Sequence, residues 1–370
     1  MKDIIKVTIE KLIPGGKGLA RLDGKVVFVP YVLPGEVVEI RITEEKKNFS
    51  EAELIKVINS SEYRIAPRCT YYNQCGGCNM QHIDYETQLK AKSDFAQNLL
   101  LRNGKISRDN ISIVPSEPFQ YRNRVQVHHS EKHKGFKERA GNKIITIESC
   151  PIATGGVNRY LSNKKNIGSN ERIAVFGKEN WYSTEKEDEE IHIKLNDKKV
   201  YFSSSLFFQS NISILPELST YLNKYVYGDS LLDLYSGVGL LSSMVEEKFQ
   251  KITAVEINKK VAPYIKRNIH AELDFYGTSL EKWISDKGTN KKADTIIIDP
   301  PRTGLSKKVR KFLNLSGSSV IIYVSCDPAT MSRDLKDILA DKYTMDDFTL
   351  FDFYPQTSHM EAVAVLKAKS

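Results

Sequence analysis

The apolar run "SVIIYVSC" ends in a lone thiol, Cys326, followed at once by Asp327-Pro328. A thiol placed where a strand runs out into a turn is presented at the sheet edge. Thiolate is the reactive form of cysteine, and with an unperturbed pKa near ~8.5 the surroundings must help to ionise it. Glu361 opens the last apolar run, "EAVAVLKA", and a carboxylate there is placed to take a proton. Taken singly, Cys326 equally suits a small buried side chain, and Glu361 a surface charge. Their chemistry depends on what stands beside them.

"LLDLYSGVGLLS" reads as an apolar strand opening through Gly237-x-Gly239 into a helix. Glycines there let the backbone turn tightly and approach a ligand outside the strand's carboxyl end. Glu256 follows at the end of the next strand, "TAVEIN", where an acidic side chain accepts hydrogen bonds from ribose hydroxyls. Dinucleotide sites want a third glycine for the pyrophosphate, and here that place is Ser242. S-adenosylmethionine has no phosphate to cradle, so the pattern leans to a methyltransferase. "IIIDPPRTGL" adds Asp299, held by Pro300-Pro301 at a third strand end facing the same crevice. A methyl donor, a thiol and a base suit methylation at C5 of a uracil. That carbon attacks a sulfonium methyl only after a thiolate adds at C6 and moves negative charge onto C5. A base then removes the C5 proton, and elimination frees the thiol.

A second cluster lies far upstream. "CTYYNQCGGC" supplies Cys69, Cys75 and Cys78, and "ESCPI" supplies Cys150. Four thiolates bind zinc tetrahedrally and also hold iron–sulfur clusters, for which a Cys-Pro pair such as Cys150-Pro151 is familiar. The x5/x2 spacing is not that of a zinc ribbon and favours [4Fe–4S], with zinc the alternative. Five cysteines are an odd number, which argues against a disulfide framework.

These residues need an α/β scaffold. In residues 206–370 short apolar runs alternate with helical stretches, which predicts a Rossmann-like, largely parallel doubly wound sheet. Residues 1–60 read as a small β-barrel, with a hairpin turn at Asp23-Gly24 and a role either as a cap or in RNA binding. Residues 61–205 read as a mixed α+β unit with the thiols. It holds a helix closed by Gly104, and the basic run Lys132–Arg139 is read as a surface loop. The 370 residues suit two or three domains. A net charge of +8 suits a polyanionic partner. No apolar run reaches the length of a membrane span and the N-terminus lacks a signal-peptide pattern, so a cytoplasmic monomer without membrane contact is expected.

The chain resembles the RNA 5-methyluridine methyltransferases of the RumA/TrmA type over essentially its whole length. "FQYRNRVQ", "FFQSN", "DLYSGVG", "VEIN", "DPPRTGL", "SCDPAT" and "HMEAV" occur in the family's order. The resemblance implies Cys326 as nucleophile and Glu361 as base. It implies Gln209, Tyr235, Glu256 and Asp299 around S-adenosylmethionine, Cys69, Cys75, Cys78 and Cys150 on a [4Fe–4S] cluster, and an N-terminal TRAM barrel that grips RNA. Leu240 and Ser279 depart from asparagines found in some members, so no cofactor contact is carried onto them. TRAM plus thiols is similar to the 23S rRNA branch, with tRNA the alternative target. A catalytically inactive RNA-binding protein is the reading from another class, and the retained thiol and carboxylate argue against it.

Overall fold

In the computed structural model, which describes residues 3–163, 170–287 and 292–369, the chain begins with six strands. They are β1 (Ile4–Thr8), β2 (Lys11–Leu12), β3 (Lys17–Leu22), β4 (Lys25–Pro30), β5 (Val37–Glu45) and β6 (Phe49–Asn59), in sheet order β1-β5-β6-β4-β3-β2. The Glu10 amide just beyond β1 donates to the Leu19 carbonyl of β3 at 2.8 Å, so the sheet curls back on itself. Alternating Val, Ile and Ala side chains of these strands fill its core. Asp23 (φ 49°) and Gly24 (φ 80°) turn β3 into β4, as the paired positive φ of a tight hairpin requires.

Helix α1 (Tyr85–Leu99) is capped by Asp84, whose side chain accepts from the Thr87 amide. The turn after it ends at Lys105 in the left-handed conformation, not at Gly104. A Cβ at Gly104 would come within 2.9 Å of the Ser332 carbonyl, so this glycine is needed for close packing, not for stopping the helix. Strand β7 (Ser112–Val114) follows, then β8 (Arg124–His129), β9 (Lys134–Lys137), β10 (Ile144–Thr146), α2 (Gly155–Ser162), β11 (Glu171–Lys178) and β12 (Trp181–Thr184). Strands β8–β12 form a five-stranded sheet ordered β10-β9-β8-β11-β12. The expected basic surface loop is therefore largely strand. Lys134 is mostly buried and donates to the Tyr160 carbonyl at 2.8 Å, and Arg139 lies over the Tyr31 ring at 4.5 Å.

A hairpin of β13 (Glu190–Leu195) and β14 (Lys198–Ser203) leads through α3 (Leu215–Tyr225) into the large sheet. Its further elements are β15 (Ser230–Leu234), α4 (Leu240–Val245), β16 (Lys251–Glu256), α5 (Ala262–Asn268), β17 (Glu272–Gly277), α6 (Leu280–Asp286), β18 (Thr295–Ile298), α7 (Lys307–Leu315), β19 (Val320–Ser325), α8 (Pro328–Ile338), β20 (Tyr343–Phe351) and β21 (Glu361–Ala368). The sheet order is β17-β16-β15-β18-β19-β21-β20-β7. Strands β15–β19 run parallel, and β21 runs antiparallel to both β19 and β20. Along the buried central strands the side chains alternate between two cores. Leu231, Ile297 and Ile322 face one, whereas Leu232, Ile296 and Ile321 face the other, as period-two strands covered on both faces must.

The stretch expected as the middle unit is shared between bodies. Strand β7 pairs with β20, and Phe95, Ala96 and Leu100 pack into the core on one face of the large sheet. The β13–β14 hairpin packs on the opposite face, through Ile191, Ile193 and Phe202. Each buried Ile or Phe contributes roughly 1.5–3 kcal/mol, so these segments are integral to the large sheet's stability.

Candidate active site and thiol cavity

The direction of travel across the sheet reverses between β15 and β18, and ligands of open α/β sheets bind outside the carboxyl ends at such a point. Immediately beyond β15 the backbone is unusual: Tyr235 (φ 60°), Gly237 (φ 52°) and Gly239 (φ 80°) are all left-handed. A Cβ at Gly239 would meet Ile265 at 2.7 Å, whereas the space above Gly237 is open. The chain is thus bent away from a cradle. A cavity of about 50 Å³ there is lined by Phe207, Gln209, Asp233, Tyr235, Ser236, Gly237, Leu240 and Asp299, among others. Tyr235 also borders a second space of about 460 Å³, together with Glu281, Pro301, Ser306, Arg310 and Arg333.

Three of the four predicted cofactor residues, Gln209, Tyr235 and Asp299, therefore share one cavity. Glu256 does not line it, but its carboxylate accepts from the Gly237 amide at 3.0 Å and from Asn258 at 2.8 Å. Gln209 is fixed from the middle sheet, where Asn123 donates through Nδ2 to the Gln209 carbonyl at 3.2 Å. Ser242, which stands where a dinucleotide site has its third glycine, donates its hydroxyl to Asp233.

Asp233 is an addition to the predicted set. Burial, with Glu256 adding repulsion, pushes its carboxyl up to about 7. Asp299 borders the cavity but is otherwise enclosed, and burial beside Asp233 likewise pushes it up to about 7. A buried group of acids at a strand edge favours a cationic ligand. A sulfonium fits, and so does the buried Ser236 hydroxyl, which has no partner among the described residues. An aspartate inside the otherwise apolar "LLDL" was the readable signal for Asp233; Ser236 and the exposed Phe207 carried none.

Cys326 directly follows β19, and Glu361 begins β21. Ser325 pairs with Ala362, so the ladder between the two strands brings the thiol and the carboxylate to the same sheet edge. Burial pushes the Cys326 thiol up to about 11, with Glu361 and Asp299 adding repulsion and Arg302 opposing them. Glu361 is 3% exposed; burial and then Asp299 raise it well above the usual carboxylate range, again against Arg302. Asp327 caps α8 through bonds to the Ala329 and Thr330 amides at 2.9 and 3.0 Å, which fixes the turn beside the thiol. Arg302 was readable only as the residue after Pro301. Its influence on Cys326 and Glu361 comes from the fold.

The four remaining cysteines all line one cavity of about 450 Å³, which also reaches Arg122, Arg302, Tyr354 and His359. Burial raises every one of these thiols, Cys78 to about 12 and Cys150 to about 11. Among the described residues no three His, Cys, Asp or Glu side chains are grouped as a single metal ion would need. Gln81 borders the same cavity, where its side chain bonds to Cys78 and opposes the effect of burial on that thiol, while Gln81 Oε1 accepts from the Cys69 amide at 3.1 Å. An amide donor against a thiol suits ligation that leaves negative charge on sulfur.

Comparison with known proteins agrees with this architecture. Residues 3–55 match the TRAM domain model and residues 286–369 match the tRNA (uracil-5-)-methyltransferase model. An uncharacterized RNA methyltransferase of Treponema denticola is 33% identical, with 99% of each chain covered. The 23S rRNA (uracil(1939)-C(5))-methyltransferase RlmD of Aliivibrio fischeri is 26% identical over 98% of this chain and 96% of its own. The crystal structure of Pyrococcus abyssi tRNA (uracil-54, C5)-methyltransferase with S-adenosyl-L-homocysteine superposes with a TM-score of 0.73. It is 24% identical and covers 98% of this chain and 100% of its own.

Proposed function

The chain belongs to the S-adenosylmethionine-dependent RNA uracil-C5 methyltransferases, and from that premise we propose that it methylates a specific uridine of 23S rRNA through a covalent Cys326 adduct. The observation that carries the mechanism is the β19–β21 ladder, which places Cys326 and Glu361 at one sheet edge beside Asp299.

Bound S-adenosylmethionine supplies the methyl group. Cys326 Sγ adds to C6 of a uracil flipped out of its stack, and the C5=C6 electrons pass to O4 as an enolate. C5 takes the methyl as the sulfonium carbon–sulfur bond breaks. Glu361 then accepts the C5 proton, the C5=C6 bond reforms, and the C6–S electrons return to Cys326. A carboxylate whose proton affinity is raised by burial is the stronger acceptor for that step. Arg302 lowers the cost of the thiolate.

Cys69, Cys75, Cys78 and Cys150 would hold a [4Fe–4S] cluster, with Gln81 donating to thiolate sulfur. Its role would be structural or RNA-orienting and not redox, since methyl transfer moves no net electrons. The TRAM barrel and the basic residues of the thiol cavity, Arg122, Lys137 and Arg139, would grip RNA phosphates, with affinity falling as salt rises. Named 23S rRNA relatives that span nearly the whole chain favour that substrate. Among the described residues no helix is long and apolar enough to cross a membrane.

Methyl transfer to unmodified 23S rRNA and to tRNA, read by nucleoside mass spectrometry with Cys326→Ala as control, tests the proposal. 5-Methyluridine in 23S rRNA alone, lost in the variant, is expected. Product in tRNA alone would keep the chemistry and overturn the substrate. Product that survives Cys326→Ala would overturn the chemistry.

A further inference from the structure

Residues 352–360, between β20 and β21, carry Tyr354 and His359 to the thiol cavity and end one residue before Glu361. No strand or helix spans this segment, so side chains from elsewhere hold it. Three stand on one face of α1 at the i, i+3, i+7 spacing that aligns side chains along a helix. The Tyr85 hydroxyl donates to Asp352 Oδ2 at 2.9 Å. Lys92 Nζ donates to Asp352 Oδ1 at 2.6 Å and to the Tyr354 carbonyl at 3.0 Å. Gln88 accepts from the Gln356 amide at 2.9 Å and donates to Gln356 Oε1 at 3.1 Å. Gln88 and Lys92 are both 0% exposed, an unusual place for such groups unless they are fully used.

The fourth holder is Asn79, next to Cys78. The Asn79 and Met80 amides donate to the Gln356 carbonyl at 3.2 and 3.0 Å. Asn79 Oδ1 accepts from the Ser358 amide at 2.8 Å, and Nδ2 donates to Ser358 Oγ at 3.0 Å and to the Gly15 carbonyl of the barrel at 2.8 Å. One side chain thus joins three parts of the chain: the barrel, the thiol loop and the approach to Glu361. Between these anchors Gln356 is held buried at φ 68°, a conformation that persists in a non-glycine residue only where its surroundings impose it.

We propose that Asn79 is a positioning residue for Glu361, tying the loop of Cys69, Cys75 and Cys78 to the segment that delivers the catalytic base. The thiol site then supports proton abstraction mechanically, without entering the chemistry. The inference rests on the reading of Cys326 as nucleophile and Glu361 as base.

That order of steps makes it testable. Glu361 acts after the thiolate has added and the methyl has moved, so a misplaced base leaves the enzyme covalently joined to ordinary uridine RNA. Asn79→Ala should lower kcat about 10- to 100-fold, as misplacement by about 1 Å does. KM for RNA should stay unchanged, and a denaturant-stable RNA adduct should accumulate, as it should in Glu361→Gln. Trapping by 5-fluorouridine RNA, which does not need the base, should proceed at the wild-type rate. Asn79→Asp keeps the acceptor for the Ser358 amide and should recover part of kcat. Should Asn79→Ala fail to fold, Asn79→Asp and Ser358→Ala remove fewer bonds and carry the same test. An unchanged kcat would overturn the inference, as would a fall in kcat matched by slower trapping or a raised KM. Wild-type protein that is not trapped by 5-fluorouridine would instead overturn the thiolate reading on which the inference rests.

Discussion

In the crevice, Asp299, Cys326 and Glu361 stand at the ends of hydrogen-bonded neighbouring strands. The thiols of the cavity stand on loops, and among the described residues no strand pairing ties them together apart from one bridge between Cys75 and Glu138. Strand pairing alone therefore brings Asp299, Cys326 and Glu361 to one edge. The thiol cavity lacks such a framework, and partial burial raises the proton affinity of all four of its thiols, so a positive partner would help them to carry charge. One site is organised by the sheet. On the reading proposed above, the other would be organised by the cluster it holds and would pass that order to the first through Asn79.

The sharpest break between the two is a pair of cysteine variants. Cys326→Ala should abolish methyl transfer while leaving Tm and visible absorption intact. Cys69→Ser should bleach the absorption of an anaerobic preparation and lower Tm by about 10 °C, on a scale of about 2–4 °C per kcal/mol for domains of this size, while S-adenosylhomocysteine still binds. Colourless wild-type protein with stoichiometric zinc would overturn the cluster and leave the crevice untouched.

A smaller effect is expected at Arg302, which touches both sites by bordering the thiol cavity and opposing the raised proton affinity of Cys326 and Glu361. Arg302→Met should push the Cys326 thiol above about 11. Each further unit cuts its thiolate fraction tenfold. Iodoacetamide labelling of Cys326 across pH 8–11 should then be slower in the variant at every pH, and turnover should fall about tenfold or more.

The smallest effect concerns Asp233 and Asp299, the acids that line the crevice cavity. Asp233 and Asp299 are raised to about 7, so they are protonated at pH 5.5 and ionised at pH 8.5. Buried acids with raised values cost folding stability as pH climbs through 7, and a bound cation offsets that cost. S-adenosylmethionine carries the sulfonium that S-adenosylhomocysteine lacks. Its affinity relative to the homocysteine form should rise about tenfold over that range if the cation lowers the acids by about one unit in total. Asp233→Asn should flatten the rise, which calorimetry of both ligands would measure.

The same contrast explains how much was legible in the sequence. Strand-end residues were readable because a parallel sheet delivers the carboxyl ends of its strands to one edge, so "DLYSG", "VEIN", "DPP" and "VSC" locate themselves once the strands are recognised. The grouping of Cys150 with thiols some seventy residues upstream was readable from residue type and resemblance, not from local pattern. The allocation of α1, β7 and the β13–β14 hairpin to the large sheet was not legible, because amphipathic segments do not say which core they join. Nor was the work of Gln88, Lys92 and Asn79, which look like ordinary polar residues until the chain places residues 352–358 against them.

The covalent adduct is the centre of the account, and one measurement addresses it directly. Folded wild-type protein is incubated with S-adenosylmethionine and 5-fluorouridine RNA, digested, and mapped by peptide mass spectrometry. The fluorine at C5 cannot be removed as a proton, so the elimination that frees the thiol is blocked. A single methylated fluorouracil adduct on Cys326 is predicted. An adduct on another residue, or none from protein that binds both ligands, would contradict the thiolate mechanism.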